Sequence, residues 1–299
     1  MIQKTYVEIP MTKSVPSETR GSLWFGLLCH LGPPVFFCVS AQLLHFQLLP
    51  VIIALLSIGI GYIFMLLFVE KMTPAVELTS NTWRTVARGL ENAFIEGAGL
   101  GGLVIFIGWW SLKNLFSISI HPNSWRLIIL AVALTDFIYY FIHRYLNHGK
   151  SKSGIKKLYW ISHRHHHSVE AMDFLRGNLT SVLDTAVAGF QVPLVFVSAF
   201  LGLSFEAAIV AYGLVLMLQI THHVNHNFNI GYLGYILVDN HSHKFHHCPG
   251  GQLVNFAALF SIYDRMFGTF YDSTVHSSSY MAKCRITLPI RIQKMTEKA

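Results

Sequence analysis

From Gly21 to Val69 the chain runs through 49 residues without an Asp, Glu, Lys or Arg. Such a stretch has no charged face to turn to water. In hydrocarbon every backbone N–H and C=O must find a partner inside the protein, which leaves helices or a closed barrel. One bilayer crossing takes roughly 20 residues, so the stretch is long enough for two helices, with the turn expected at the polar break His45–Gln47. Only 12% of the chain is charged, about half the share of an ordinary soluble protein, so the membrane reading extends to the whole sequence.

Further apolar segments follow at Gly97–Leu112 and Leu127–Ile142, and then as a pair, Thr185–Phe205 and Ala207–Gln219, hinged at Glu206. Gly97, Gly101 and Gly108 offer sites of close helix contact. The second arm of the last pair is short, so that pair is expected as a shallow hairpin. The fold class is therefore all-α: a multi-pass membrane helical bundle of about four crossings plus a shallow hairpin, with a histidine-rich cap. Residues 1–20 are polar and lack the apolar core of a signal peptide, which makes them an N-terminal tail. Residues 21–69 form a first transmembrane hairpin, and 271–299 a C-terminal tail. Lys4, Lys13, Arg20, Lys71, Arg84, Arg88, Lys150, Lys152, Lys156 and Lys157 fall on one side of this arrangement. The positive-inside rule makes that side cytosolic, together with the cap. The net charge of +7 then reflects basic loops, and no run of basic and aromatic residues suggests a nucleic-acid surface.

Thirteen of the 17 histidines lie between His143 and His247. They form His143-Arg-Tyr-Leu-Asn-His148, the triplet His163, His166, His167 and the triplet His243, His246, His247, with His222 and His223 as a further pair. In an HxxHH triplet on a helix the second and third histidines are three and four residues from the first, so all share one face. The triplets and the first pair supply eight imidazoles, and His223 a ninth. One ion needs four to six ligands, so two metals are expected. Imidazole by itself does not choose among zinc, copper, iron and nickel. None of Cys29, Cys38, Cys248 and Cys284 is spaced for a structural zinc site, and no HExxH or HxxEH occurs. Two redox-active irons beside an apolar chamber suit oxygen chemistry on an unactivated C–H bond. His165, His222, His226 and His241 adjoin these candidates without completing a motif. Asp136 lies seven residues before His143 on the same helix face. An intramembrane carboxylate is costly and commonly functional, so Asp136 is expected to accept from a histidine ligand and orient it. A histidine-rich metal transporter is the contrasting reading. Transporters place their ligands near the bilayer midplane, whereas these clusters follow the apolar segments.

The ordered HX4H, HxxHH and HxxHH boxes resemble those of the fatty acid hydroxylase/sterol desaturase superfamily of membrane di-iron enzymes. The run Asp136-Phe-Ile-Tyr-Tyr-Phe-Ile-His143-Arg is similar to the family's aspartate-to-histidine helix. Asn255-Phe-Ala and Tyr263-Asp-Arg-Met-Phe-Gly-Thr269 are similar to its ending, with Tyr263 in place of Trp and Ala257 in place of Gly. The resemblance spans roughly residues 70–270 and implies a catalytic domain there. The implied ligands of two iron ions are His143, His148, His163, His166, His167, His223, His243, His246 and His247. It implies O2-dependent hydroxylation of an aliphatic lipid, with desaturation by the same centre as the alternative. A separate electron donor is also implied, cytochrome b5-like or ferredoxin-like with a reductase. The membrane would be the endoplasmic reticulum in a eukaryote or the inner membrane in a bacterium. Where the family commonly has HRxxH, this chain has Asn147 at the fourth position and His148 at the fifth. Five residues carry a regular helix about 140° past a whole turn. Either the helix ends or bulges there, or Asn147 takes the histidine's part.

Overall fold

The computed structural model describes residues 22–74, 83–148, 154–164, 166–168, 173–177, 181–247 and 253–272. The expected N-terminal tail, the C-terminal tail beyond Asp272, His165, Cys248 and Cys284 lie outside the described residues. All regular elements among the described residues are helical. They are α1 (Leu23–Leu43), α2 (Leu48–Met72), α3 (Trp83–Glu91), α4 (Gly101–Phe116), α5 (Trp125–Ile142), α6 (Gly154–His163), α7 (Phe174–Gly177), α8 (Gln191–Phe200), α9 (Phe205–Gln219), α10 (Asn240–His247) and α11 (Ile262–Met266). Three π-helical segments join this series: Asn92–Leu100 links α3 to α4, His143–Asn147 continues α5, and Asp184–Ala188 precedes α8.

Five of these helices are long and apolar enough to cross a membrane: Leu23–Leu43, Leu48–Met72, Val86–Phe116, Trp125–Asn147 and Phe205–His223. The turn expected at His45–Gln47 is present. His45 and Phe46 both adopt positive φ, at 49° and 57°, which lets the chain reverse between α1 and α2. Large apolar side chains stay exposed on the outer faces, among them Leu28 and Phe36 of α1, Phe64 and Phe68 of α2, Phe106 and Trp110 of α4, and Phe196 and Phe200 of α8. A water-soluble surface would not carry them in such number; a lipid-facing surface does. Helix α9 is apolar all round and buried along most of its length, the environment such a helix requires. It packs against α1, α2, α4, α5 and α8.

Three connections gather at one end of the bundle. Trp125 Nε1 donates to Gln42 Oε1 beside the first turn (2.7 Å). His121 N donates to Gly202 O (2.9 Å), and Ser204 Oγ donates to Asn123 Oδ1 (2.6 Å). The pair expected as a shallow hairpin therefore brings its turn to the same end as the other two. Asp184–Phe200, its first arm, is shorter than a full span. The glycines behave unequally. A Cβ on Gly101 or Gly108 would collide with Tyr212 or Val195, so these two permit close helix contact. Gly97 faces no neighbouring helix that closely. The opposite end of the bundle carries the histidines.

Candidate metal centre

Each histidine is delivered by a different local device. His143 and His148 lie at the end of α5, where the helix widens into its π segment. His148 N donates to His143 O (3.1 Å), the i→i+5 bond of a π turn. That longer turn absorbs the extra residue and returns His148 over His143, with their Nε2 atoms 3.2 Å apart. Asn147, the alternative for this position, is wholly buried. His163 is the last residue of α6, whereas His166 and His167 begin a 3-10 turn at His166–Ser168. The second triplet is thus not carried on one helix, although its spacing suggests that. The third is, within α10. His223 ends the 3-10 extension of α9 and packs on Gly177. A Cβ there would lie 2.3 Å from His223 Cβ.

The nitrogens sort into two groups. His143, His148, His167 and His246 form one, and His166, His223, His243 and His247 the other; within each group the ligand atoms lie within 4.8 Å of one another. His163 joins the first group, its Nε2 being 3.0 Å from that of His143 and 3.1 Å from that of His167. In the second group His243 Nε2 stands 3.0 Å from that of His223 and 3.1 Å from that of His247. All nine predicted residues are brought together, but neither triplet converges as a unit. Each gives its first and third histidines to one group and its second to the other.

This donor set fits a metal pair. His143 Nδ1 donates to Phe256 O (2.6 Å) and His246 Nδ1 donates to Val254 O (2.7 Å). The proton is thereby placed on Nδ1, leaving the Nε2 lone pair facing inward. His246 Nε2 is buried without a hydrogen-bond partner among the described residues, a costly state that a cation would relieve. Burial, reinforced by the neighbouring imidazoles, holds His148, His167, His243 and His247 well below the usual imidazole range. Burial likewise lowers His246 to about 3. Neutral imidazole is the form that binds a metal.

The carboxylates differ from expectation. Asp136 does not accept from a histidine. Its two oxygens accept the backbone N–H groups of Leu259 (3.1 Å) and Phe260 (2.8 Å). It lies about two helical turns before His143 and holds the stretch just after Phe256, the carbonyl partner of His143. Asp264 holds the same loop from the other side, accepting from Phe256 N and Ala257 N and from Thr269 Oγ1. Glu70 accepts from Phe174 N and Asn225 N, both at 2.6 Å. The acid that does approach a candidate ligand is Asp184, whose Oδ1 lies 3.4 Å from His163 Nδ1. In the sequence Asp184 stands one residue before an apolar run, and its cost there was the signal available. His226 turns away to Thr73 O (2.8 Å). His222 stacks on His30, and neither it nor His241 belongs to either group.

A chamber of about 220 Å³ runs from the histidines into the bundle. His143, His163, His166, His223 and His243 line one end; Leu55, Leu56, Gly59, Phe94, Gly97 and Leu216 are among the residues of its walls. Helix α2 packs on α1, α9 and α7, and both α2 and the Asn92–Leu100 segment border the chamber.

The fold and the site together define a multi-pass helical membrane protein with paired histidine groups able to hold two metals beside an apolar chamber. Residues 128–269 match the family model described as fatty acid hydroxylase. The chain thus carries a fatty acid hydroxylase domain at those residues, part of the fatty acid hydroxylase/sterol desaturase superfamily. The matched region contains all nine histidines and Asp136, Asp184 and Asp264. No curated protein and no solved structure gives a significant match.

Proposed function

We propose that this protein is a membrane di-iron oxygenase that hydroxylates an aliphatic lipid, using O2 and electrons from a separate donor. The observation that carries this reading is the juxtaposition of two histidine groups with one end of an apolar chamber. His143, His148, His163, His167 and His246 would hold one iron, and His166, His223, His243 and His247 the other. Bound there, the irons supply oxygen activation and the oxidising power to break an aliphatic C–H bond. One oxygen atom enters the lipid as a hydroxyl and the other leaves as water. Two electrons from the donor and two protons balance the reaction.

The protein's own part is positional. The apolar walls bind a hydrocarbon chain and keep water from the reacting carbon. The Nδ1 bonds of His143 and His246 keep their Nε2 atoms aimed inward. Asp184 backs His163 and raises its basicity toward a metal. The basic residues Lys71, Arg88, Lys156 and Lys157 lie toward the histidine end, which supports a cytosolic cap open to a soluble or peripheral donor.

Metal analysis of the purified chain, together with lipid mass spectrometry of cells with and without it, tests the proposal. About two irons per chain are expected, with one lipid class gaining an oxygen atom. The gain should vanish in His166→Ala. A loss of two hydrogens in place of the gain assigns desaturation to the same centre. Many loosely held ions and no lipid change would overturn the enzyme reading in favour of a carrier.

A further inference from the structure

Among the chamber-lining residues one side-chain amide stands out. Gln191, the first residue of α8, is 4% exposed and lines the chamber wall. Its Oε1 is buried without a hydrogen-bond partner among the described residues. Its amide orientation follows from the neighbouring bonds. The Tyr212 hydroxyl donates its one hydrogen to Gly97 O, so toward the neighbouring Gln191 amide the phenolic oxygen can only accept. Acceptance requires the NH2 end of the amide on the tyrosine side, and Gln191 Nε2 does lie beside Gly101 and the Tyr212 hydroxyl. The carbonyl end is left next to Gly189, another chamber-lining residue. A Cβ on Gly189 would come within 2.3 Å of Oε1, so glycine is what allows the amide oxygen to sit there.

Resting on the lipid-oxygenase reading above, we infer that Gln191 determines specificity: its Oε1 accepts a hydrogen bond from a hydroxyl or amide N–H of the bound lipid. The substrate is then not a bare hydrocarbon chain but a lipid with a donor group inside the chamber. The network explains why the selection favours donors. Tyr212 holds the NH2 end of the amide on its own side, so the end that lies beside Gly189 is the acceptor. An ether or ester oxygen at the same place meets lone pair against lone pair. A buried acceptor left without a partner is penalised more than a formed hydrogen bond is rewarded, which makes the donor requirement a matter of exclusion as much as attraction.

The test uses the full-length, metal-loaded chain in lipid nanodiscs and an isosteric pair of probes, 1-dodecanol and methyl undecyl ether. Affinity is read from the rise in melting temperature with probe concentration. The wild type is expected to favour the alcohol by about tenfold, one hydrogen bond's worth. Gln191→Leu should erase the preference. Tyr212→Phe keeps the amide but frees it to rotate, and should cut the preference severalfold. Equal binding of the two probes by the wild type, or an undiminished preference in Gln191→Leu at normal metal content, would overturn the inference. The two readings separate cleanly. A lipid oxygenase that binds both probes alike retains the enzyme assignment and loses Gln191. Selective alcohol binding without lipid oxidation retains Gln191 and sinks the oxygenase.

Discussion

Asp136 and Asp184 show how far one residue's role depends on what it reaches. Both are buried acids near histidines, yet Asp136 accepts two backbone N–H groups while Asp184 approaches an imidazole. Their substitutions should therefore fail differently. Asp136→Ala leaves the Leu259 and Phe260 donors without acceptors, and stability should fall by roughly 2–5 kcal/mol, measured by thermal or denaturant unfolding in detergent. Asp184→Asn should leave unfolding of the metal-free chain nearly unchanged. It should weaken metal binding about 10–100-fold at the group containing His163, while the other group keeps its ion. Chelator competition should then show one weakened and one intact site; two equally weakened sites would refute the role given to Asp184. The sequence signals the cost of both acids but not their partners, because these come from other elements: the Leu259–Phe260 backbone for Asp136, more than a hundred residues away, and the end of α6 for Asp184.

At the scale of elements, the informative device is the π segment His143–Asn147. A regular helix would send His148 to the wrong side, and the i→i+5 bond brings it back. Inserting one alanine between Arg144 and Tyr145 should rotate His148 by about 100° relative to His143. Metal content should drop by one ion as the first group loses a ligand; unchanged content would show that the π turn does not place His148. The triplets obey the same geometry in another way. Residues three and four along a helix from a given position lie about 100° apart around its axis, so they straddle the first residue. In α10 this sends His246 to one group and His243 with His247 to the other. Spacing makes the triplets visible as ligand sets, but only the facing elements decide which histidine serves which ion.

For the whole molecule, the consequence of burying so many imidazoles is a stability that depends on pH. His148, His167, His243 and His247 titrate well below the usual range when folded, because burial penalises their charged forms. His246 does so at about 3. Unfolded, each would bind a proton near pH 6.5. The unfolded chain therefore binds more protons below that pH, and stability falls as pH drops from about 6.5 toward 3. The melting temperature of the metal-free protein should decline steadily across that window. Bound metal should delay the decline to lower pH, since protons must displace it first; a flat profile without metal would contradict this burial. By itself the sequence determined the class of solvent, the helical fold with its first turn and the histidine triplets, while His148 stayed open against Asn147, because hydropathy and ligand spacing are local properties of the chain. Tertiary structure alone decided the division of the histidines into two groups, the carboxylates that clamp loops rather than rings, the reach of the last hairpin and the placing of the Gln191 amide oxygen in the chamber wall. Each of these depends on which distant backbone groups meet in space, and burial sets its energy only after they have met.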